Sequence, residues 1–163
     1  MKNGLIISDS GPIFSLATIG KLEILDALFE KICIPDAVWK EITRDKTTKY
    51  YGELAAYFDG KVRSISGFNE LEFIMDYGES EAVLLYRELS ADFLLIDDKK
   101  ARAIAESFGM QCVGTIGVLS IAREKGLIGE LRPLFEHFLK NGRYYSLKLL
   151  NAFLKEHNEA EIE

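Results

Sequence analysis

The chain has 163 residues, 48% of them hydrophobic and 28% charged, with 26 acidic and 20 basic side chains and a net charge of −6. That length fits one ordinary domain, and the apolar content is enough to bury a core, which excludes a disordered chain. The acidic balance argues against nonspecific coating of duplex DNA. An acid-rich pocket in which a bound cation reverses the local sign is still compatible with it.

The N-terminus enters a short apolar run, Leu5-Ile6-Ile7. It is too short for a secretory leader or for the ~20 apolar residues of a membrane span, so a cytoplasmic protein with no membrane partner is expected. Gly4 to Asp9 reads as a strand, followed by Ser10-Gly11-Pro12, a helix start with a capping hydroxyl and an early proline. Helical segments follow over 13–19 and 22–29, a buried strand over 31–34, and a helix from Pro35 to Thr43. A polar helix is expected over 47–58, an alternating strand over 61–65 and a short helix near 70–75. Gly78 opens a helix through Leu89, Phe93–Ile96 is an apolar strand, and 98–108 is a helix. Gln111–Val113 reads as a strand, and 115–125 as a helix. Two amphipathic helices, 130–140 and 147–157, close the chain with the stripes Leu131/Leu134/Phe135/Phe138 and Leu147/Leu150/Phe153/Leu154.

Strands that are apolar on both faces, each followed by a helix, specify a parallel sheet covered on both sides. The expected architecture is therefore a three-layer α/β/α Rossmann-like domain over 1–163, with a core over 1–128 and a helical extension over 129–163. Ligands of such sheets bind beyond the carboxyl ends of the strands. Cys33 and Cys112 lie in apolar runs without Cys-x-x-Cys spacing, so reduced thiols are expected rather than a zinc site.

Carboxylates stand where that rule places a site. Asp9 ends the first strand and either caps the next helix or reaches into the crevice. Asp97 and Asp98 end the strand Phe93–Ile96; Asp98 has the position of a cap, whereas Asp97 beside another acid is costly without a neutralising cation. Glu79 and Glu81 open a helix, where the macrodipole alone favours acids. Glu79 shares the cleaner stripe with Ala82, Val83, Tyr86 and Leu89, and Glu81 lines up with Leu84, Leu85 and Glu88. Glu41, at the edge of its helix's apolar side, is expected to be exposed. Acids unaccompanied by histidine or thiolate suit Mg²⁺ or Mn²⁺, which prefer oxygen ligands.

The order of these segments resembles the PIN-domain superfamily, particularly its prokaryotic branch near the toxins of toxin–antitoxin operons. The resemblance is carried by IISDSGPIFSLATIGKLEIL, IPDAVWKEI, GESEAVLL, LLIDDKKARAIAESFG and GTIGVLSIAREKGLI. It implies an endoribonuclease in which Asp9, Glu41, Glu79 or Glu81, and Asp98 or Asp97 bind Mg²⁺ or Mn²⁺, with Ser10 as the hydroxyl residue after the first acid. It also implies RNA as substrate, pairing into a homodimer and a protein antitoxin as partner. Lys99, Lys100 and Arg102 are candidates for the RNA backbone, although a solvated helix face is the commoner role of such residues. Tyr50, Tyr51, Tyr144 and Tyr145 are of a kind that stacks bases, but ordinary packing explains them and they are not assigned to the site. The rival readings are a catalytically inactive PIN-like module that binds RNA or protein, and a metal-dependent phosphatase of another Rossmann-like family.

Overall fold

A computed structural model describes residues 2–163. Strands β1 (Asn3–Ser8), β2 (Phe29–Pro35), β3 (Val62–Arg63), β4 (Phe93–Leu95) and β5 (Cys112–Val113) form one parallel sheet in the order β3-β2-β1-β4-β5. The helices are α1 (Ser10–Thr18), α2 (Ile24–Leu28), α3 (Asp36–Ile42), α4 (Tyr51–Tyr57), α5 (Tyr77–Glu88), α6 (Lys99–Ser107), α7 (Thr115–Glu124), α8 (Arg132–Lys140) and α9 (Leu147–Glu156). Among the described residues no helix is long and apolar enough to cross a membrane.

Strand alternation divides the core into two layers. Ile6, Ile32, Ile34 and Leu95 face one side with α1, α2, α7, α8 and α9 residues. Ile7, Cys33, Leu94 and Ile96 face the other with Ala82, Val83 and Leu85 of α5 and Ala101 and Ala105 of α6. Successive side chains point to opposite faces of a strand, so a run apolar at every position is consistent with a sheet covered twice. Cys33 is buried, Cys112 is half-buried, and both are free thiols.

Several elements are shorter than the sequence pattern predicts. The helix expected over 47–58 begins only at Tyr51, because the Asp45 carboxylate accepts from both the amide and the hydroxyl of Thr47 and holds a turn there. The segment near 70–75 is a single 3-10 turn, Glu70–Phe73. β3 keeps only two residues in the ladder. In α9, Leu150 and Leu154 are fully buried, but Leu147 at its first position is 43% exposed and leaves the expected stripe.

The terminal helices close the first layer. Phe135 and Phe138 of α8 are fully buried beside Leu150 and Leu154. The Phe138 ring lies 5.3 Å from that of Tyr145, in the segment between α8 and α9. Phe138→Ala should therefore cost about 3–5 kcal/mol of unfolding free energy in urea titration. A loss under ~1 kcal/mol would show that α8 adds little to the core.

Candidate active site at the carboxyl end of the sheet

Strand order reverses between β1 and β4, so the crevice beyond their carboxyl ends is the topological switch point. The register Ser8↔Leu95, and a hydrogen bond of 2.9 Å from the Asp9 amide to the Leu95 carbonyl, bring Asp9 level with the residues that leave β4. Asp9 occupies the position before α1, but its carboxyl makes no capping hydrogen bond. Ser10, expected as the cap, is instead the first residue of α1. Its hydroxyl donates to Glu41 Oε2 at 2.5 Å, tying α1 to α3.

That contact overturns the expected exposure of Glu41, which is only partly exposed and turned toward the strand ends. Gly78 makes the arrangement possible: a Cβ there would collide with Glu41 Oε1. The first turn of α5 thus lies flat against the Glu41 carboxylate, a close approach that glycine permits.

Glu79 and Glu81 separate. Glu81 is the more deeply buried, yet its Oε1 accepts from the Ala37 amide at 3.0 Å and satisfies the start of α3. Its stripe with Leu84 and Leu85 is buried as well, since α5 is enclosed on most sides. Glu79 accepts weakly from the Asp76 amide, at 3.4 Å. Burial and the charges of Asp98, Asp76 and Glu41 raise its pKa. The geometry therefore groups Glu79, not Glu81, with the other acids.

Asp97 and Asp98 also divide. Asp98 caps α6, with Oδ1 accepting from the Ala101 amide at 2.8 Å, while Oδ2 has no protein hydrogen bond among the described residues. Asp97 is held more tightly. Its Oδ1 accepts from the Thr115 amide at 2.8 Å, and its Oδ2 from the Thr115 hydroxyl at 2.6 Å and the Tyr145 hydroxyl at 2.8 Å. Tyr145 OH also lies 2.6 Å from Ser15 Oγ, which accepts from Arg143 Nε at 3.0 Å, and Arg143 Nη2 donates to the Gly11 carbonyl. These supporting residues escape a sequence reading, because a lone Thr, Tyr or Arg far along the chain carries no motif. The only sequence hint is Thr115 at the start of the helix after a strand.

A crevice of about 380 Å³ opens beside the acids, lined by Asp76, Glu79, Asp98 and Lys100, with Phe73 and Ile74 on its rim. Lys100 reaches it. Arg102 turns the other way, into an ion pair with Glu106 at 2.9 Å, and Lys99 is exposed. Among the described residues no salt bridge involves Asp9, Glu41, Glu79, Asp97 or Asp98. The donors are all carboxylates and so fit a hard divalent cation in kind. The side chains are not closed into a cage, since no three His, Cys, Asp or Glu among the described residues are grouped to hold an ion.

Asp9 bears the main electrostatic cost. It is 7% exposed, and burial, followed by the Glu79, Glu41 and Asp97 charges, raises its pKa from 3.8 to about 7 against the opposing Ser10 amide. An acid with a raised folded-state pKa gives stability that is present below pH 3.8 and lost as pH rises to about 7. Metal-free Asp9→Asn should therefore be more stable than wild type, and by about 2 kcal/mol more at pH 8 than at pH 5. An equal difference at both pH values in urea titrations would remove the proposed burden on Asp9.

No curated protein matches the chain. The family model DUF3368, described as a PIN domain, matches residues 5–159 and so takes in α8 and α9 as well as the strand-end acids. With nearly the whole length matched and a parallel sheet between two helical layers, the chain belongs to the PIN-domain family.

Proposed function

We propose that the chain is an endoribonuclease dependent on Mg²⁺ or Mn²⁺. The observation that carries this reading is the buried Asp9 carboxyl, set among other acids and paired with no base among the described residues, at the switch point of a parallel sheet. PIN domains are commonly nucleases, and membership is the second support. Asp9, Glu41, Glu79 and Asp98 would hold the cation, with Asp97 beside them. Bound there, it would neutralise the scissile phosphodiester and the oxygens that attack and leave.

The protein's own groups have separable roles. Ser10 fixes the Glu41 carboxylate through its hydroxyl. Thr115 and Tyr145 orient Asp97, and such outer partners are worth about 10–100-fold in metal affinity or activity. Lys100, on the crevice wall, is placed to meet an RNA phosphate.

The finer reading is the toxin of a toxin–antitoxin pair, acting in the cytoplasm as a homodimer. The quoted sequence passages support it, as do the exposed apolar residues Tyr144 and Leu147 near α9. Light scattering reads the assembly directly, and a monomeric mass at every working concentration would contradict the dimer.

In a single-stranded RNA cleavage assay with Mn²⁺, Asp9→Asn and Asp98→Asn should each lose more than the roughly 10–100-fold expected of Tyr145→Phe. Equal cleavage by wild type and both aspartate variants would end the catalytic assignment. One observation favours the inactive binding module: no three His, Cys, Asp or Glu among the described residues are grouped to hold an ion. Mn²⁺ binding that disappears with Asp9→Asn would count against it.

A further inference from the structure

A second cavity, of about 280 Å³, adjoins the acids on the side away from the crevice. Its floor is Val113 and Ile116, and Tyr145 and Phe153 supply aromatic walls. Leu149, 41% exposed, stands at its edge. Asp97 and Arg102 give it a polar side. Asp97 and Arg102 line this cavity while their chain neighbours Asp98 and Ala101 line the crevice, so the two adjoin across the turn into α6.

We propose that this cavity is a nucleobase subsite, which takes the base adjoining the phosphate held at the carboxylates. The inference rests on the nucleic-acid reading of the same site and adds where the strand is gripped. Three features select a flat heteroaromatic ring. The aromatic walls offer π-faces, on which bases stack with little regard to sequence. Glycines shape the slot: Gly117 lets its helix pack close to the Val113 wall, where a Cβ would come within 3.2 Å of Val113 Cγ2, and Gly114 leaves Asp97 Oδ1 uncovered, since a Cβ there would come within 3.0 Å of it.

The polar side is matched to the edge of a base. A carboxylate has about four acceptor positions, and protein donors reach Asp97 three times, once at Oδ1 and twice at Oδ2. One position on Oδ1 stays open, on the side where Gly114 lacks a side chain. Arg102 Nε and Nη2 are engaged by Glu106 and the Cys112 carbonyl, while Nη1, near Gly114, donates to nothing among the described residues. An acceptor beside a donor complements the donor–acceptor pair that every base carries on its Watson–Crick edge. Stacking therefore sets affinity, and the subsite tolerates all four bases.

Methyl-labelled protein without divalent metal, titrated with the four ribonucleosides, which carry no phosphate for the acids to repel, tests this independently of cleavage. The expected result is ring-current shifts at the Val113, Ile116 and Leu149 methyls, with the Ile24 and Leu28 methyls unmoved. A short single-stranded oligoribonucleotide should bind Gly117→Val about tenfold or more weakly, a loss on the scale of one stacked base. Leu149→Asn, on an exposed position that does not threaten folding, should weaken binding in the same direction. Absence of shifts at the three methyls, or unchanged oligonucleotide affinity in both variants, overturns the subsite. Pocket shifts in a protein that fails to cleave RNA support the subsite and sink the nuclease reading alone.

Discussion

Burial of a carboxylate among other carboxylates is the constraint that organises this molecule. Asp9, Glu41, Glu79 and Asp97 are close enough for three of them to raise the pKa of the fourth, and Asp9 is nearly removed from water. Packing elsewhere has to hold this arrangement, because isolated acids would separate or remain solvated. The rigid parts are the β1–β4 ladder, whose register puts Asp9 level with the end of β4, and the approach of α5 to α3 through Gly78. A fold that keeps such a cluster gains nothing in stability from it, and strain retained at one place commonly marks function.

The fold was largely legible because its determinants are local. Continuous apolar runs such as Leu5-Ile6-Ile7 and Phe93–Ile96 have one economical solution, a strand buried on both faces, and the helices between them follow from 3.6-residue periodicity. Misjudged boundaries lie where side chains compete with the backbone. Asp45 holds a turn in what reads as helix, and Leu147 opens α9 facing water although it shares the period of buried residues.

The candidate site was legible as a set of acids near the strand ends but not as an arrangement. Periodicity distinguishes Glu79 from Glu81 only weakly, since it reports faces and says nothing of which backbone amide lies opposite. Glu81 is bound to the Ala37 amide, a contact across 44 positions of sequence. Glu41 looks like a surface residue until Ser10 and Gly78 are placed against it. The Arg143–Ser15–Tyr145–Asp97 chain of contacts depends on α8 and α9 folding back over the first layer. Nothing local in Arg143 or Tyr145 announces that return.

Asp97 and Asp98 show how two adjacent residues can divide a surface. Leaving β4, the chain turns into α6, so one carboxylate caps that helix and opens on the acidic crevice while the other is drawn toward Thr115 and Tyr145. The carboxyl end of the sheet thereby acquires two unlike sides, one of acids and one of aromatic and aliphatic walls. A polynucleotide has the same division along its length, with charged phosphates alternating with flat apolar bases. On the proposed reading, recognition would rest on cations at the acids and stacking beside them, which a net charge of −6 permits without a broad basic surface.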